Sequence, residues 1–520
     1  MFTYAPYLFG LVVSICCFLY TRHRQDVRRR FGLPYPPGPK PLPIIGNLCD
    51  LPKENESATY FQWAQRYGDL VYANVLGRDL LFVNSAQVAA DLFEKRFSNY
   101  SDRTPLYMIN DLMGWEWSFG MMRYGDRWKK HRLVFDRQFK SSVAPAYRPI
   151  QAAQCHLFLR RLLDSPNDLL EHLRHNAAST IMKVIYGIDI EPQNDHYVEV
   201  AEEALTALGK AATPGAFLVD SLPFLKYVPE WMPGAGFKRK ARLWKKTLYE
   251  MRDAPFEAVK VAMIRGGASP SFVSNLLGDL NPKADSDEQM ETIKCCAGLG
   301  YAAGAESVVS ALSSFFLAMI LCPEVQRKAQ SELDVVIGPG SARLPHFNDR
   351  SSTPYINAIV KEVLRWNPVA PLGLPHMTTK DDVYNGYFIP SGTTVFGNTW
   401  TILHDESVYP QPLMFSPERF LSPDGRELNK CTPDPLAAFG YGRRICPGRH
   451  MAEATLWISI ASILATFDVG PGLDDGGRPV KTKAEFSSGA ICHPLPFQYT
   501  ISPRSDIARR LIQQTADVAP

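Results

Sequence analysis

The chain has 520 residues, 46% of them hydrophobic and 21% charged, proportions that are typical of folded proteins and exclude a small disulfide scaffold or a largely disordered chain. Its 56 Lys and Arg residues against 53 Asp and Glu residues leave a net charge of +3, which argues against nucleic acid as a partner. The ten cysteines contain no Cys-x-x-Cys pair, which argues against zinc ribbons and iron–sulfur clusters and favours a reducing compartment.

Residues 2–20 form an uncharged apolar stretch that is long enough for a helix to cross a bilayer. Residues 21–30 carry five arginines and one aspartate, and the positive-inside rule keeps such a flank in the cytosol. A cleaved signal peptide is the alternative, but here the basic cluster follows the apolar run and no small-residue cleavage motif separates the two. We therefore predict a single-pass transmembrane anchor over residues 1–21, with the rest of the chain in the cytosol.

Residues 34–43, PYPPGPKPLP, contain six prolines, which fix φ and favour a stiff extended strut. We assign residues 22–50 to a basic, proline-rich hinge that sets how the body sits on the membrane. The remainder shows no internal repeat and no second linker, so residues 51–520 are expected to form one domain.

Helical periodicity dominates this remainder, and strand-like segments are few and short. The predicted fold is therefore mainly α with small β-sheets. Strands are expected near residues 70, 80, 394 and 497. Helices are predicted over residues 58–67, 86–96, 125–139, 149–164, 176–186, 236–264, 288–321, 323–336, 355–366 and 450–466.

The stretch 295–322 is long and apolar enough to resemble a second membrane span. Glu306 lies at its centre, where hydrocarbon would penalise a carboxylate, so we predict a buried core helix instead. Three glycines, Gly298, Gly300 and Gly304, weaken the middle of this helix and suggest that a ligand approaches its backbone there.

Cys446 lies at the junction between a glycine-rich basic loop and a predicted helix, with Pro447 directly behind it. Proline suits a first helical turn, so Cys446 should lie near a helix N-terminus, where backbone donors and the helix dipole face its sulfur. These conditions predict a lowered thiol pKa and a thiolate.

The residues around Cys446 extend this pattern to Phe-x-x-Gly-x-Arg-x-Cys-x-Gly, formed by Phe439, Gly442, Arg444, Cys446 and Gly448. This pattern resembles the heme-binding signature of cytochrome P450 enzymes. The resemblance implies that Cys446 is the axial ligand of the iron of heme b, because a thiolate ligand favours O–O cleavage.

Further segments are similar to P450 motifs and cover essentially the whole chain. Glu362-Val-Leu-Arg365 looks like the Glu-x-x-Arg helix of the family, and Arg419 lies in a segment similar to its Pro-Glu-Arg-Phe element. The resemblance implies a buried structural triad of Glu362, Arg365 and Arg419, in which the first two share one helix face. Loss of one member should strand a buried charge.

Residues 303–307, AGAES, are similar to the oxygen-activation turn of the family. The resemblance implies that Glu306 and Ser307 relay protons to bound dioxygen, although serine stands where the family usually has threonine. Because serine lacks the methyl group, its hydroxyl is less restricted, and we expect more peroxide release than from a threonine variant.

The resemblance also assigns contacts to the heme propionates. Arg444 and, by similarity, Trp128, Arg132 and His376 would supply positive charge and hydrogen-bond donors to the two carboxylates. Together these motifs imply the cytochrome P450 fold with an N-terminal transmembrane helix.

The implied activity is a heme-thiolate monooxygenase that acts on a lipophilic small molecule at the endoplasmic reticulum membrane. Electrons would come from NADPH through NADPH-cytochrome P450 reductase, with cytochrome b5 as an optional second partner. The basic residues expected to face an acidic partner are Arg127, Lys129, Lys130, Arg443 and Arg449.

The chain looks most like fungal microsomal members of the family, the O-methylsterigmatocystin oxidoreductase-like group, which implies a secondary metabolite of the terpenoid or polyketide class as substrate. Residues 107–122, 216–237 and 369–375 are rich in apolar side chains and are the predicted substrate contacts. A reductase-independent heme-thiolate isomerase and a non-catalytic heme sensor remain the alternatives. Retention of both Glu306 and Ser307 argues against the isomerase.

Overall fold

The structure is a computed structural model and describes residues 21, 24, 27–213, 215–282, 284–338 and 342–517. Residues 1–20 of the anchor predicted over 1–21 lie outside the described residues. The described part is mostly helical with three small sheets, as the sequence predicts.

The α-helices, numbered α1 to α15 in chain order, are Glu56–Tyr67, Ala86–Ala89, Phe97–Tyr100, Asp126–Phe139, Arg148–Asp164, Leu169–Tyr186, His196–Ala212, Gly236–Ile264, Phe272–Gly278, Ser286–Leu321, Pro323–Ile337, Pro354–Trp366, Thr399–Leu403, Arg449–Thr466 and Asp506–Gln514. Short 3-10 or π turns lie between them, notably Ala90–Lys95, Trp115–Trp117, Pro417–Phe420, Leu436–Phe439 and Gly442–Arg444. The strands, β1 to β9, are Leu70–Val75, Arg78–Val83, Asp102–Arg103, His376–Met377, Asp382–Tyr384, Tyr387–Ile389, Thr394–Gly397, Phe467–Pro471 and Tyr499–Pro503.

The largest sheet has the strand order β1-β2-β7-β4-β3 and joins distant parts of the chain. Strand β2 pairs with β7 in parallel, with Leu80 opposite Thr394, whereas the other pairs in this sheet are antiparallel. At its edge, β3 pairs with β4 so that Arg103 lies opposite His376. The sheet therefore brings two basic side chains from remote segments to one register position.

The proline-rich hinge is fixed against this sheet. The Tyr72 amide donates to the Pro37 carbonyl at 2.9 Å, and the Phe388 amide donates to the Pro34 carbonyl at 2.8 Å. Gly38 packs so closely that a Cβ atom there would lie 1.9 Å from the Tyr72 carbonyl oxygen. The orientation of this strut relative to the body is therefore set by backbone contacts.

Helix α10, Ser286–Leu321, runs through the core of the described structure. Its first half packs, through Cys295, Cys296 and Tyr301, in an apolar cluster with α4, α6 and α8. Its second half packs, through Val309 to Ile320, in another cluster with α11, α12 and α14. Among the described residues it is the one helix long and apolar enough to cross a membrane, but most of it is buried inside the protein. The prediction of a core helix is confirmed.

In the direction of a Cβ atom the glycines of α10 face protein side chains, and the approach of a ligand to the backbone there stays a prediction. A Cβ atom at Gly298 would lie 2.9 Å from the Arg252 side chain, and one at Gly304 would lie 2.9 Å from Ile181. At Gly300 it would lie 3.0 Å from Ile185. These glycines permit neighbouring helices and side chains to approach α10 closely.

Candidate active site

The loop that carries Cys446 is shaped by glycine and by one backbone hydrogen bond. The Cys446 amide donates to the Phe439 carbonyl at 2.7 Å, which closes the loop directly before α14. Gly442 has a φ of 52°, and a Cβ atom there would lie 2.1 Å from the Phe93 carbonyl oxygen. Only glycine fits this combination of conformation and contact. The sulfur is thereby held at the N-terminal end of α14, where Gly448 is the N-cap residue.

Cys446 is a free cysteine, so its thiol is not part of a disulfide. Burial raises its pKa, and this effect outweighs the opposing influence of the Gly448 amide and the Arg132 and Arg449 side chains. The prediction that the loop alone lowers the pKa is therefore wrong, because desolvation disfavours the thiolate more than the helix terminus favours it. A bound cation such as iron is what would shift the balance to the thiolate.

Two buried arginines beside this loop are bonded to backbone carbonyl groups. The Arg444 guanidinium donates to three carbonyls at 2.7 to 3.1 Å, those of Ser101, Phe119 and Met122. Arg103 likewise donates to the Gly120, Leu374 and Pro375 carbonyls. Within the described ranges neither guanidinium has a carboxylate at ion-pair distance.

Arg132, Trp128 and His376 surround these two arginines. Arg132 donates to the Ile445 carbonyl at 2.7 Å and pairs with Asp136 at 2.8 Å. The Arg444 guanidinium lies over the Trp128 ring at 4.5 Å. His376 is buried, and its imidazole Nδ1 lies 2.7 Å from the Tyr100 carbonyl.

Arg103, Arg132 and Arg444 bring three guanidinium groups together beside His376, and the nearby carboxylates of Asp102 and Asp136 are themselves paired with Arg123 and Arg132. Burial, followed by the charges of Arg103 and Arg132, lowers the pKa of Arg444 to about 8. Burial lowers the pKa of Arg103 to about 10 and that of His376 well below its ordinary value. A dianionic ligand would relieve this repulsion, and the two propionates of heme b have this charge.

The predicted structural triad is assembled and buried. Arg365 donates to both carboxylate oxygens of Glu362, at 2.7 and 2.8 Å, and Arg419 donates to Glu362 at 3.2 Å. Glu362 and Arg365 are completely buried. Both guanidinium groups also donate to the Met414 carbonyl, so the triad ties α12 to the segment before Pro417–Phe420.

Glu306 and Ser307 lie on α10 between its two apolar clusters. The Ser307 hydroxyl donates to the Ala303 carbonyl one turn earlier, at 2.8 Å. The Glu306 carboxylate pairs with Nε2 of His493 at 2.9 Å, which lowers the pKa of this carboxyl. The acid and the hydroxyl group are thus neighbours in sequence but have different partners.

Comparison with known proteins identifies the arrangement. The cytochrome P450 family model matches residues 36–501. The chain is 43% identical to a cytochrome P450 monooxygenase of Armillaria gallica, over 94% of this chain and 96% of the relative. It is 40% identical to the tryptamine 4-monooxygenase of Psilocybe cyanescens, over 96% of this chain and 97% of the relative.

The chain belongs to the cytochrome P450 family. Another relative, a cytochrome P450 monooxygenase of Rhodocybe pseudopiperita, is 43% identical over 92% of this chain and 91% of its own length. The protein is therefore a heme-thiolate monooxygenase of fungal type, and its cofactor is heme, with electrons that come from NADPH through a reductase in the general P450 reaction.

The residues of this P450 fit a heme group. They combine a free thiol at a helix N-terminus with the buried guanidinium groups of Arg103 and Arg444, which within the described ranges have no carboxylate at ion-pair distance. Arg103, which sequence analysis did not select, belongs to this set because β3 and β4 place it opposite His376. It stands in an ordinary Ser-Asp-Arg-Thr stretch, so no local pattern marks it.

The predicted substrate segments differ in their surroundings. Residues 107–122 are largely core residues, and Trp117 stacks with Trp115 and lies under the Arg252 guanidinium. Residues 216–237 expose several apolar side chains. A cavity of about 750 Å³ borders the cysteine loop at Phe439, but none of its lining residues belongs to the three segments.

Proposed function

We propose that this P450 is a membrane-anchored, reductase-dependent enzyme that hydroxylates or otherwise oxidises a lipophilic fungal secondary metabolite of the terpenoid or polyketide class. One atom of O2 enters a C–H bond of the substrate and the other leaves as water, with two electrons and two protons consumed. The proposed organisation is an anchor at 1–21, a hinge at 22–50 and a heme domain at 51–520, in the endoplasmic reticulum membrane with the heme domain in the cytosol.

Heme bound through Cys446 would supply the activation of O2. Arg132, Arg444, Trp128 and His376 would hold the propionates, with Arg103 as an additional donor. Phe439, Gly442 and Gly448 shape the loop around the sulfur.

Glu306 and Ser307 would deliver the two protons from α10. The Ser307 hydroxyl donates to the Ala303 carbonyl at 2.8 Å, so it must leave this acceptor before it can donate a proton elsewhere. A Ser307→Thr variant adds a methyl group that restricts the rotamer. We expect less peroxide per NADPH from this variant, by less than about twofold, measured with a peroxide assay beside product yield. Equal coupling in both proteins would contradict the proposed role of the missing methyl group.

The observation that carries the membrane and lipophilic-substrate proposal is the exposed apolar surface of residues 218–232. Phe224, Tyr227 and Trp231 are 63%, 77% and 79% exposed, and this segment overlaps the predicted substrate region at 216–237. Clustered exposed apolar side chains mark interaction with a membrane or a partner. Phe31 and Ile44 of the hinge are similarly exposed. These features support substrate entry from the bilayer side.

The reductase, and optionally cytochrome b5, would dock on the exposed face of α4. Arg127, Lys129 and Lys130 are exposed on this helix, whereas Trp128 is buried on its other side. Leu133 is 52% exposed on the same helix, which adds an apolar contact to a basic surface. Arg443 and Arg449 of the cysteine loop region would extend this face, because Arg132 of α4 donates to the Ile445 carbonyl between them at 2.7 Å.

The test is turnover by the full chain in yeast membranes with co-expressed reductase and a panel of terpenoid and polyketide scaffolds. We expect a reduced carbon monoxide spectrum typical of thiolate-ligated heme, and a product that contains one oxygen atom from labelled O2. Cys446→Ser should abolish both. Turnover without O2 or reductase would favour the isomerase, and no NADPH consumption with any substrate would favour the sensor.

Docking is tested with Lys129→Glu and its matched control Lys246→Glu on α8, another exposed lysine. The first substitution should slow electron transfer from the reductase more at low salt than at high salt. The control should leave the rate unchanged. Equal rates for both variants would contradict the proposed docking face.

A further inference from the structure

The partner of Glu306 comes from the C-terminal part of the chain. His493 Nε2 lies 2.9 Å from Glu306 Oε1, and the two side chains are 26% and 31% exposed. The pair is thus neither solvent-separated nor sealed in the core. Sequence motifs account for Glu306 but assign no role to His493.

The segment that carries His493 is fixed against α10 by its own backbone. The Ser310 hydroxyl donates to the Cys492 carbonyl at 2.5 Å, and the Cys492 amide donates to the Val369 carbonyl at 2.9 Å. Ser310 stands one helical turn after Glu306, so both contacts lie along one face of α10. His493 therefore reaches Glu306 from a seated segment.

The backbone of His493 is held equally firmly. Its amide donates to the Ser487 hydroxyl at 3.0 Å, and the Ser487 amide donates to the His493 carbonyl at 2.7 Å. The Leu495 amide donates to the Glu485 carbonyl at 2.8 Å, which closes the base of this turn. A side chain on such a turn has a defined direction, so the contact with Glu306 is built into the fold.

The charged groups that act on Glu306 are few. The hydrogen bond from His493 is the largest influence that lowers the pKa of the Glu306 carboxyl, burial opposes it, and Arg174 of α6 adds a smaller effect in the same direction. Arg174 itself lies 4.0 Å from Glu202 of α7. Ser307 donates to the Ala303 carbonyl and so offers Glu306 no hydrogen bond in this arrangement.

We propose that His493 is a positioning residue for Glu306, which fixes the orientation of the carboxylate and thereby controls proton delivery from α10. The inference rests on the proposed role of Glu306 in the monooxygenase reaction. While the pair is formed, the carboxylate is held in one orientation beside the 485–495 turn, and this orientation is the one that delivers protons. Loss of His493 would leave the acid free to adopt other orientations and to hold its proton at higher pH.

The experiment compares the wild type with His493→Leu, His493→Gln and Glu306→Gln in the heme-loaded full chain. A matched control is His196→Leu, because His196 lies 3.1 Å from Glu250 in another histidine–glutamate pair on an exposed surface. A normal reduced carbon monoxide spectrum establishes that each variant is folded. His493→Gln keeps a hydrogen-bond donor that cannot gain a proton, and is the fallback if His493→Leu does not fold.

The first readout is infrared titration of the Glu306 carboxyl, with its band assigned by its loss in Glu306→Gln. The midpoint should move to higher pH in His493→Leu, move less in His493→Gln and remain unchanged in His196→Leu. This measurement needs no turnover, so it reports on the ion pair even if the proposed oxygenase function fails.

The second readout is peroxide released per NADPH with a bound substrate. We expect a rise of roughly threefold or more in His493→Leu, because loss of a charge-assisted hydrogen bond changes the population of one side-chain orientation by about tenfold. His493→Gln should show a smaller rise. An unchanged titration midpoint overturns the proposal, and so does a shifted midpoint with unchanged peroxide release.

Discussion

This P450 has two buried groups of arginines, and they differ in whether a carboxylate pairs with the guanidinium groups. In the triad, Arg365 and Arg419 both bond to the Glu362 carboxylate, and the remaining donors reach backbone carbonyls. In the cluster beside the cysteine loop, Arg103 and Arg444 donate to carbonyl oxygens and within the described ranges have no carboxylate at ion-pair distance. Both groups are buried, so both lose hydration on folding.

The difference shows which of the two groups has its buried charge balanced without a ligand. A buried ion pair whose partners are bonded can repay its desolvation, whereas unbalanced buried charge remains costly. The triad is therefore a structural unit of the polypeptide alone. The basic cluster has a lowered pKa at Arg444 that an anionic ligand would reverse. We therefore expect this cluster to cost stability until an anionic ligand binds.

The variant with the largest expected effect removes the single carboxylate of the triad. Glu362→Gln leaves two buried guanidinium groups without a counter-charge and should destabilise the protein by about 3–5 kcal/mol. Denaturant unfolding of the heme-loaded protein measures this loss in the free energy of unfolding. The matched control is Glu257→Gln, because Glu257 pairs with Lys260 at 3.0 Å on the exposed surface of α8 and should contribute about 1 kcal/mol or less. Equal losses would show that the triad is not a special unit.

The second test uses His404, a buried neighbour of the triad. Burial, followed by the charge of Arg365, lowers the pKa of His404 to about 3. The unfolded chain, with an ordinary pKa of about 6.5, binds a proton that the folded protein does not, so stability falls as pH drops below about 6.5. The expected contribution is about 2 kcal/mol between pH 7 and pH 5, at about 1.4 kcal/mol for each pH unit.

His404→Gln should remove this contribution, and unfolding at pH 7 and pH 5 measures it. The control is His196→Gln, because His196 is exposed. If the pH dependence is the same in His404→Gln and in the wild type, burial beside the triad does not hold His404 neutral as described.

The smallest test addresses the basic cluster. Arg132→Met removes a positive charge and the hydrogen bond to the Ile445 carbonyl, and should speed heme loss by about tenfold, since one charge-assisted hydrogen bond is worth about 1.5–3 kcal/mol. Transfer of heme to an excess of apomyoglobin measures the rate. Arg137→Met, at an exposed position on the same helix, is the control and should retain heme normally. Equal rates in the two variants would remove Arg132 from the site.

Sequence periodicity predicted the long helices well and failed where apolar character or local pairing was weak. The prediction of 450–466 differs from Arg449–Thr466 by one residue at its start. Helix His196–Ala212 was missed because its buried face consists of alanines, namely Ala201, Ala204, Ala207 and Ala211, which give little hydrophobic contrast. The two-residue strands Asp102–Arg103 and His376–Met377 exist only through pairing across the fold, which no local pattern reports.

The candidate site could be predicted where motifs are contiguous. The loop around Cys446 and the Glu-x-x-Arg helix are local patterns, so their residues were found. Arg103 and His493 join the site only through tertiary contacts, at β3 and at the turn near α10. The sequence also could not predict that the pKa of Cys446 is raised, because this shift depends on how deeply the sulfur is buried.

The parallel pairing of β2 with β7 has a consequence for biosynthesis. Residues 80 and 394 are partners in the sheet, so 314 residues must be added after the first strand is made before the second exists. At a synthesis rate of about 5–20 residues per second, β2 waits roughly 16–63 s with one edge unpaired. During that interval the nascent chain exposes a strand edge that can pair with other chains, so ribosome-associated chaperones have a specific segment to protect.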